Sequence, residues 1–303
     1  MLEQVIAELR EAGVADVLMQ EPLAPHTTWK IGGPADVLLV PHTKEQLVQT
    51  VRLLQLHQIP YFVLGRGSNL LVTDKGIRGV VIKLGEALNY VRFDDRFVYA
   101  GGAYSFITLS QKASRQGLTG LEFAGGIPGS VGGAVYMNAG AHGSDVSRIL
   151  KYAEVLLDTG EWVVMHKDEL EYAYRHSILQ RVPGIVTEAV FELEHGNRNE
   201  ISVALATNKE RRLRTQPLQL PCAGSVFRNP EGGYAAKFIE EAGLKGKRIG
   251  GAEVSMLHAN FIINTGGATA NDVLSLIQLV QQTVFSKFAI TLTPEVLVVG
   301  ERD

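Results

Sequence analysis

The chain has 303 residues, 46% hydrophobic and 20% charged, which is long enough for two or three folded domains and too apolar for wholesale disorder. Its 29 Lys and Arg nearly balance 32 Asp and Glu, so a net charge of −3 gives no indication of nucleic-acid or membrane binding. Cys222 is the only cysteine, which excludes an internal disulfide and a cysteine metal cluster.

The first half of the chain predicts alternating helices and strands. Leu2, Val5, Ile6 and Leu9 recur at helical spacing and predict an amphipathic N-terminal helix. Acidic residues interrupt this segment and no run approaches about 18 apolar residues, so we expect a cytoplasmic chain with no secretory signal or membrane insertion. The next predicted elements are a strand at 36–40, a helix from a capping box at Thr43 to Gln58, strands at 61–64, 70–72, 80–83 and 97–100, and a helix from Ser105 that Gly117 ends.

The second half predicts strands first and then a smaller α+β domain. Strands are expected at 151–157, 161–165 and 185–193, and the polar stretch at 194–200 indicates a domain boundary. A long helix with Asn199 as its cap is expected to end in Arg211, Arg212 and Arg214. Helices at 234–242 and 270–287 then flank strands at 261–264 and 295–299.

Glycine is concentrated where ligand binding is most plausible. Nine of the 32 glycines lie between 117 and 143, with apolar residues between them and no G-X-Y period, which is typical of structured backbone that approaches another group closely. A second glycine loop, Gly65 to Asn69, lacks the third glycine of a dinucleotide fingerprint and joins two predicted strands. Two loops that present bare backbone amides suit a diphosphate-bridged cofactor, although a cluster of tight turns explains the 125–133 glycines equally well.

Residues 31–36 (IGGPAD), 64–72 (LGRGSNLLV) and 122–140 (EFAGGIPGSVGGAVYMNAG) closely resemble the MurB family, the UDP-N-acetylenolpyruvoylglucosamine reductases. The resemblance continues through 174–177, 216–217, 223–230, 242–246, 258–261 and 294–296, and so covers nearly the whole chain. It implies an α+β fold in three parts: an N-terminal helix and lead-in (1–27), a two-part FAD-binding domain of the vanillyl-alcohol oxidase (PCMH) type (28–195), and a smaller α+β substrate-binding domain (200–303).

The resemblance also implies a reaction. NADPH would reduce a bound FAD, which would reduce UDP-N-acetylglucosamine enolpyruvate to UDP-N-acetylmuramate for peptidoglycan synthesis, and hence for cell-wall biogenesis, cell shape and cell division. Ser68 stands where covalently flavinylated relatives carry a histidine, so the FAD is expected to be non-covalent. The loop after Ser177 leaves no room for the tyrosine-bearing insertion of one family type, which makes this the shorter, second type. No metal is expected, and the oligomeric state stays open.

The resemblance assigns roles residue by residue. Ser225 matches the family's proton donor, and Arg175 and Glu295 match its partners for the substrate carboxyl group. The FAD contacts would be Gly65, Arg66, Gly67, Ser68, Asn69, Gly125, Gly126, Ile127, Pro128, Gly129, Ser130 and Gly132. The further substrate contacts would be Tyr174, Arg214, Arg228, Asn229 and His258.

Each assignment has a structural alternative. Arg175 could form a surface ion pair, and Glu295 could be a charge at the edge of a strand. The arginines of the long helix are favourable at its C-terminus without any ligand, and Cys222 is best interpreted as a structural thiol. For the whole chain, the alternatives are a different flavin oxidase or dehydrogenase on the same scaffold and a nucleotide-sugar binding protein without turnover.

Overall fold

The structure, a computed structural model, describes residues 2–11, 13 and 16–302. Within them the α-helices are α1 (Leu2–Glu11), α2 (Lys44–Leu56), α3 (Phe106–Gln116), α4 (Val131–Tyr136), α5 (Arg198–Thr215), α6 (Ala235–Glu241) and α7 (Ala270–Phe288). The strands are β1 (Asp16–Pro22), β2 (Pro34–Val40), β3 (Tyr61–Leu64), β4 (Leu70–Val72), β5 (Ile77–Lys83), β6 (Val91–Asp94), β7 (Phe97–Gly101), β8 (Leu118–Thr119), β9 (Gly140–Ala141), β10 (Ser144–Asp145), β11 (Leu150–Leu157), β12 (Trp162–His166), β13 (Gly184–Glu192), β14 (Glu194–His195), β15 (Arg248–Ile249), β16 (Ala252–Val254), β17 (Ile262–Asn264) and β18 (Leu297–Val299). The mixture confirms the predicted α+β class.

Local capping signals explain where the helices begin and end. Ser105 Oγ accepts a hydrogen bond from the Thr108 amide at 3.3 Å, and Gly117 ends α3 in the left-handed conformation at φ 75°, so both predicted bounds are confirmed. The predicted cap of α5 is wrong by two residues. Asn197, not Asn199, accepts from the first-turn amides, at 2.9 Å from Asn199 N, because α5 begins at Arg198.

Contacts divide the chain into two compact units, the first comprising residues 1–18, 37–66 and 79–211 and the second 19–36, 67–78 and 212–303. The first unit contains an antiparallel sheet in the order β12–β11–β13–β7–β6, covered by an apolar core that includes Phe106, Phe123 and Phe191. A separate core joins α1 and α2 to strands β2 and β5. In the sheet β1–β2–β5–β3, strand β5 lies between β2 and β3, the strands before and after α2 in the chain.

The second unit is built on two small sheets and two helices. Strands β15, β16 and β17 form an antiparallel sheet, and β18 pairs in parallel with β4, Leu297 opposite Leu70. The buried indole of Trp29 donates to the Ile262 carbonyl at 2.8 Å, which holds the 19–36 segment within this unit. The β4–β18 pairing places Asn69, directly before β4, next to the residues that precede Leu297.

The predicted domain boundaries at 27/28 and 195/200 stay predictions. No helix within the described ranges combines the length and apolar character needed to cross a bilayer.

Candidate active site

The second unit brings two predicted catalytic residues, Ser225 and Glu295, onto adjacent antiparallel segments. The Glu295 amide donates to the carbonyl of Val226 at 2.7 Å, and the Arg228 amide donates to the Thr293 carbonyl at 2.9 Å. Phe227 and Pro294 form the antiparallel bridge between these two hydrogen bonds. Ser225 and Glu295 are both half-buried, so both residues stay partly accessible to a ligand.

Asn69 connects the glycine loop to this pair. Its side-chain Nδ2 donates to the Glu295 carbonyl at 3.3 Å, and its own carbonyl accepts from the Leu297 amide at 3.0 Å. The predicted cofactor residue Asn69 therefore lies beside the predicted catalytic residue Glu295 in the same unit.

Arg175 lies in the first unit at the tip of a tight hairpin. Ala173 and His176 exchange two backbone hydrogen bonds, of 3.1 and 3.2 Å, and leave Tyr174 and Arg175 as the two turn residues. Arg175 has φ 53°, a left-handed conformation that non-glycine residues rarely adopt. Its Nη2 donates to the Gly140 carbonyl at 2.9 Å, and its guanidinium carbon lies 5.0 Å from the Tyr174 ring centroid. The chain therefore places this arginine in a strained turn, as is common at functional sites.

Two of the predicted FAD segments meet within the first unit. A Cβ at Gly65 would lie 2.8 Å from Ser130 Oγ, so glycine is required for the two loops to approach this closely. Ser130 caps the short helix α4, its Oγ accepting from the Gly133 amide at 3.2 Å. Among the described residues, no protein acceptor pairs with the amides of Gly129 and Ser130. These two amides could therefore donate hydrogen bonds to a ligand.

Other members of the 125–133 loop serve the fold. The amides of Val131 and Gly132 donate to the carbonyls of Tyr104 at 2.8 Å and Gly102 at 2.9 Å, and the Ile127 amide donates to Ala124. A Cβ at Gly125 would lie 2.2 Å from Leu205 Cδ1, so this glycine allows α5 to pack closely. The FAD contacts expected of this loop stay a prediction, and the amides of Ile127, Val131 and Gly132 already have acceptors within the fold.

Gly67 is the glycine of the first loop that combines a left-handed conformation with no space for a side chain. It has φ 60°, and a Cβ there would lie 2.5 Å from the His26 carbonyl oxygen. Its own carbonyl accepts from the Thr28 amide at 3.1 Å. Gly67 thereby fixes the bend that leads to Ser68, which is half-buried, and Asn69. Arg66, directly before this bend, is exposed.

The structure places the predicted substrate contacts in different surroundings. Tyr174 is 55% exposed, and Arg214 lies on the exposed last turn of α5. The Nε of Arg228 is buried without a hydrogen-bond partner among the described residues, as expected of a group that awaits a ligand. Asn229 instead uses its Oδ1 to accept from the Ala235 amide at 3.1 Å, which holds the start of α6.

His258 is tied into the loop that precedes β17. Its Nδ1 faces the Asn260 amide at 3.2 Å, which assigns the acceptor role to Nδ1 and the proton of the neutral ring to Nε2. Burial is the main reason that the pKa of His258 is lowered, and nearby Lys245 adds to the effect. The neutral imidazole is therefore favoured.

The sequence interpretation missed Asn260 in the second unit, and it did not distinguish Arg212 from the neighbouring arginines. Asn260 is buried and binds the backbone of Phe227 at both ends of its side chain, and the signal that could have found it is a polar residue between Ala259 and Phe261. Arg212 is half-buried while Arg211 and Arg214 are exposed, and its Nε donates to Gln216 Oε1 at 2.8 Å. Burial lowers the pKa of its guanidinium.

Cys222 is half-buried, and burial raises the pKa of its thiol. A raised thiol pKa lowers the thiolate fraction, which agrees with a structural role. Within the described residues, no group of three or more His, Cys, Asp or Glu side chains is placed to hold a metal ion.

Comparison with known proteins joins these features to a family. Residues 35–166 match a family model described as an FAD binding domain, and residues 216–299 match the C-terminal domain of UDP-N-acetylenolpyruvoylglucosamine reductase. Reductases of this name are 52% identical in Bacillus licheniformis and 53% identical in Bacillus cereus, each alignment covering 99% of this chain and 100% of the relative. The crystal structure of the Thermus caldophilus reductase superimposes with a TM-score of 0.81 at 38% identity, over 93% of this chain and 98% of that one. With both domain models in order and full-length relatives at this identity, the chain belongs to the UDP-N-acetylenolpyruvoylglucosamine reductase family.

Proposed function

We propose that this chain reduces UDP-N-acetylglucosamine enolpyruvate to UDP-N-acetylmuramate, a precursor of peptidoglycan, with NADPH as the hydride donor and non-covalent FAD as the carrier. Family membership makes the chain an FAD-dependent oxidoreductase. The observation that supports the finer proposal is the hydrogen bond from the Glu295 amide to the Val226 carbonyl, 2.7 Å long, which brings the backbone of Glu295 next to the residue that follows Ser225.

The residues present fit a flavin dinucleotide. The amides of Gly129 and Ser130, at the start of α4, have no acceptor among the described residues, and consecutive amides of this kind suit a phosphate oxygen. Gly65 and Gly67 have no side chains, and a Cβ at either position would clash, at Gly65 with Ser130 and at Gly67 with His26. When bound, FAD supplies a hydride, taken from NADPH, to the terminal carbon of the enolpyruvyl group.

The protein's residues would complete the addition. As the hydride arrives, the electron pair of the double bond moves to the carbon beside the substrate carboxylate. Ser225 Oγ–H donates its proton to that carbon, and the serine regains a proton from solvent, so that one NADPH and one proton reduce one double bond. Arg175 would pair with the carboxylate, whose negative charge grows during the step, and Glu295 would be the second residue at that end of the substrate.

Ser225→Ala tests this assignment because it removes the proton donor with little change of volume. Reduction of the bound flavin by NADPH should proceed at nearly the normal rate, since that half-reaction needs no proton on the sugar nucleotide. Reoxidation by the enolpyruvyl substrate should slow by about 10²-fold or more, the usual contribution of a general acid. Stopped-flow flavin absorbance under anaerobic conditions measures both steps.

Ser275→Ala is the matched control, because Ser275 is a half-buried serine on α7 in the same unit. It should leave both half-reactions unchanged. Reoxidation of Ser225→Ala within tenfold of wild type would mean that the proton comes from another group. Glu295→Gln keeps the shape of the side chain and a polar group at this position, and it should therefore retain more activity than Glu295→Ala.

The same anaerobic measurement of flavin absorbance distinguishes the alternative functions. A nucleotide-sugar binding protein without turnover would purify without flavin. A different flavin enzyme would be bleached by a reductant and would not be reoxidised by UDP-N-acetylglucosamine enolpyruvate in the absence of oxygen.

A further inference from the structure

Asn260 takes the place of a neighbouring β-strand for the segment that follows Ser225. Its Nδ2 donates to the Phe227 carbonyl at 2.8 Å, its Oδ1 accepts from the Phe227 amide at 2.9 Å, and its main-chain carbonyl accepts from the Val226 amide at 2.9 Å. A side-chain amide carries the same donor and acceptor as a peptide unit, so one residue makes three of the bonds that hold this segment. Asn260 is 4% exposed, and water cannot easily replace these bonds.

The 225–228 segment is therefore held from both sides. Asn260 binds one edge, and the 293–295 segment binds the other through the Glu295 amide at 2.7 Å from the Val226 carbonyl. Before Ser225, Gly224 adopts φ 78° with no atom within 4 Å of a Cβ built on it, and the nearest antiparallel bridge on that side joins Cys222 to Ile263. The hydrogen bonds of Val226 and Phe227 follow directly after Ser225 in the chain.

Asn260 is itself anchored by a compact loop. Its main-chain amide donates to His258 Nδ1 at 3.2 Å. Ser255 Oγ accepts from the main-chain amides of Leu257 at 3.1 Å and His258 at 3.4 Å. The Phe261 amide closes the loop by donating to the His258 carbonyl at 3.0 Å. These hydrogen bonds within the loop hold the main chain of Asn260, and so they restrict where its side chain can lie relative to the 225–228 segment.

We propose that Asn260 is a positioning residue that fixes Ser225 against Glu295 for proton delivery. The inference rests on the proposed function and on Ser225 as the proton donor. A bond network that only stabilised the fold would affect both half-reactions alike, whereas a positioning residue affects the step in which Ser225 acts.

Asn260→Asp in the holoenzyme tests the proposal with almost no change of shape. The Oδ1 acceptor stays, and a carboxylate oxygen replaces the Nδ2 donor opposite the Phe227 carbonyl. Flavin reduction by NADPH should stay within twofold of wild type, and reoxidation by UDP-N-acetylglucosamine enolpyruvate should slow at least tenfold. The solvent deuterium isotope effect on reoxidation should rise, because proton transfer becomes slower. Hydrogen exchange of the 224–230 peptide should speed up, a change that does not depend on turnover.

Asn264→Asp is the matched control. Asn264 is also a buried asparagine of the second unit, and its Nδ2 donates to the Trp29 carbonyl at 3.0 Å while its Oδ1 accepts from Gly266 and Ala268. Replacing the Nδ2 of Asn264 by a carboxylate oxygen should lower thermal stability. It should not change the ratio of flavin reduction to flavin reoxidation rates, or the solvent isotope effect on reoxidation. If Asn260→Asp does not fold, Ser255→Ala loosens the same loop indirectly and should shift the ratio in the same direction by a smaller factor.

Equal behaviour of Asn260→Asp and Asn264→Asp in the half-reaction ratio and in the isotope effect would overturn the proposal. If wild type turns over, Ser225→Ala loses reoxidation and Asn260→Asp behaves as wild type, this inference alone fails. If wild type is not reoxidised by the enolpyruvyl substrate, the proposed function fails, and this inference fails with it.

Discussion

The strained turn at Arg175 predicts an inverted order of stability for two substitutions. Arg175→Gly and Arg175→Ala both remove the guanidinium and its hydrogen bond to the Gly140 carbonyl. They differ only in the backbone, which must adopt φ 53°. A left-handed conformation costs an L-residue about 1–2 kcal/mol and costs glycine almost nothing, whereas glycine's extra freedom in the unfolded chain costs about 0.5–1 kcal/mol. The glycine variant should therefore be more stable by about 0.5–1 kcal/mol.

Arg181 provides the matched comparison at an ordinary backbone geometry. It has φ −115° in the same unit, so Arg181→Gly should be less stable than Arg181→Ala by about 0.5–1 kcal/mol. The difference between the two pairs is then about 1–2 kcal/mol, which corresponds to several degrees in the unfolding temperature. Thermal and urea unfolding of the four flavin-loaded variants measure it.

The stability order and the activity should be independent. Both Arg175 variants should reoxidise about 10²–10³-fold more slowly than wild type, because each loses the cation opposite the developing charge. If Arg175→Ala is as stable as Arg175→Gly or more so, the turn is not strained. If reoxidation is unchanged in both, Arg175 does not contact the substrate.

Three further predictions concern the fold of the second unit. Asp74 accepts from the Ala270 and Asn271 amides at 2.8 and 2.9 Å, so Asp74→Ala should lower the free energy of unfolding by about 1–2 kcal/mol and Asp74→Asn by less, measured by urea unfolding. Gly67→Ala, whose Cβ would lie 2.5 Å from the His26 carbonyl oxygen, should yield protein with a lower unfolding temperature and less flavin than Gly143→Ala, where φ is 81° and the space is open. Hydrogen bonds from the Thr269 and Gly251 amides lower the pKa of Asp272. The stability that the Asp272 carboxylate adds to the folded protein should be complete above the ordinary carboxyl pKa and be lost as pH falls through the lowered value. Asp272→Asn should remove this part of the pH dependence of unfolding.

Local patterns were sufficient to predict most of the elements. The end of α3 followed from Ser105 and Gly117, because a cap and a left-handed glycine act within one turn of the helix. Two nearby asparagines were harder to separate, and the bond from Asn199 N to Asn197 Oδ1 shows which of them caps α5. Sequence patterns locate such boundaries to within a residue or two because neighbouring polar residues compete for the same amides.

The glycine loops show how far composition can be taken. Their density at 125–133 suited a ligand site and a cluster of tight turns equally well. The structure distinguishes the members of the loop, because the Gly132 amide is bonded to the Gly102 carbonyl and Gly125 gives room to Leu205, while the amides of Gly129 and Ser130 have no acceptor among the described residues. Which amide is free depends on partners more than 20 residues away, and local sequence does not specify them.

The sequence by itself determined the family, the α+β class and the identity of Ser225, Arg175 and Glu295 as candidates, because its motifs resemble those of the family and these residues stand at the matching positions. Only the tertiary structure decided that Glu295 lies beside Val226, that Asn260 holds Phe227 and that Arg175 is strained. Those features arise from hydrogen bonds between segments distant in the chain and from packing that overrides local backbone preference, so they exist only once the chain has folded.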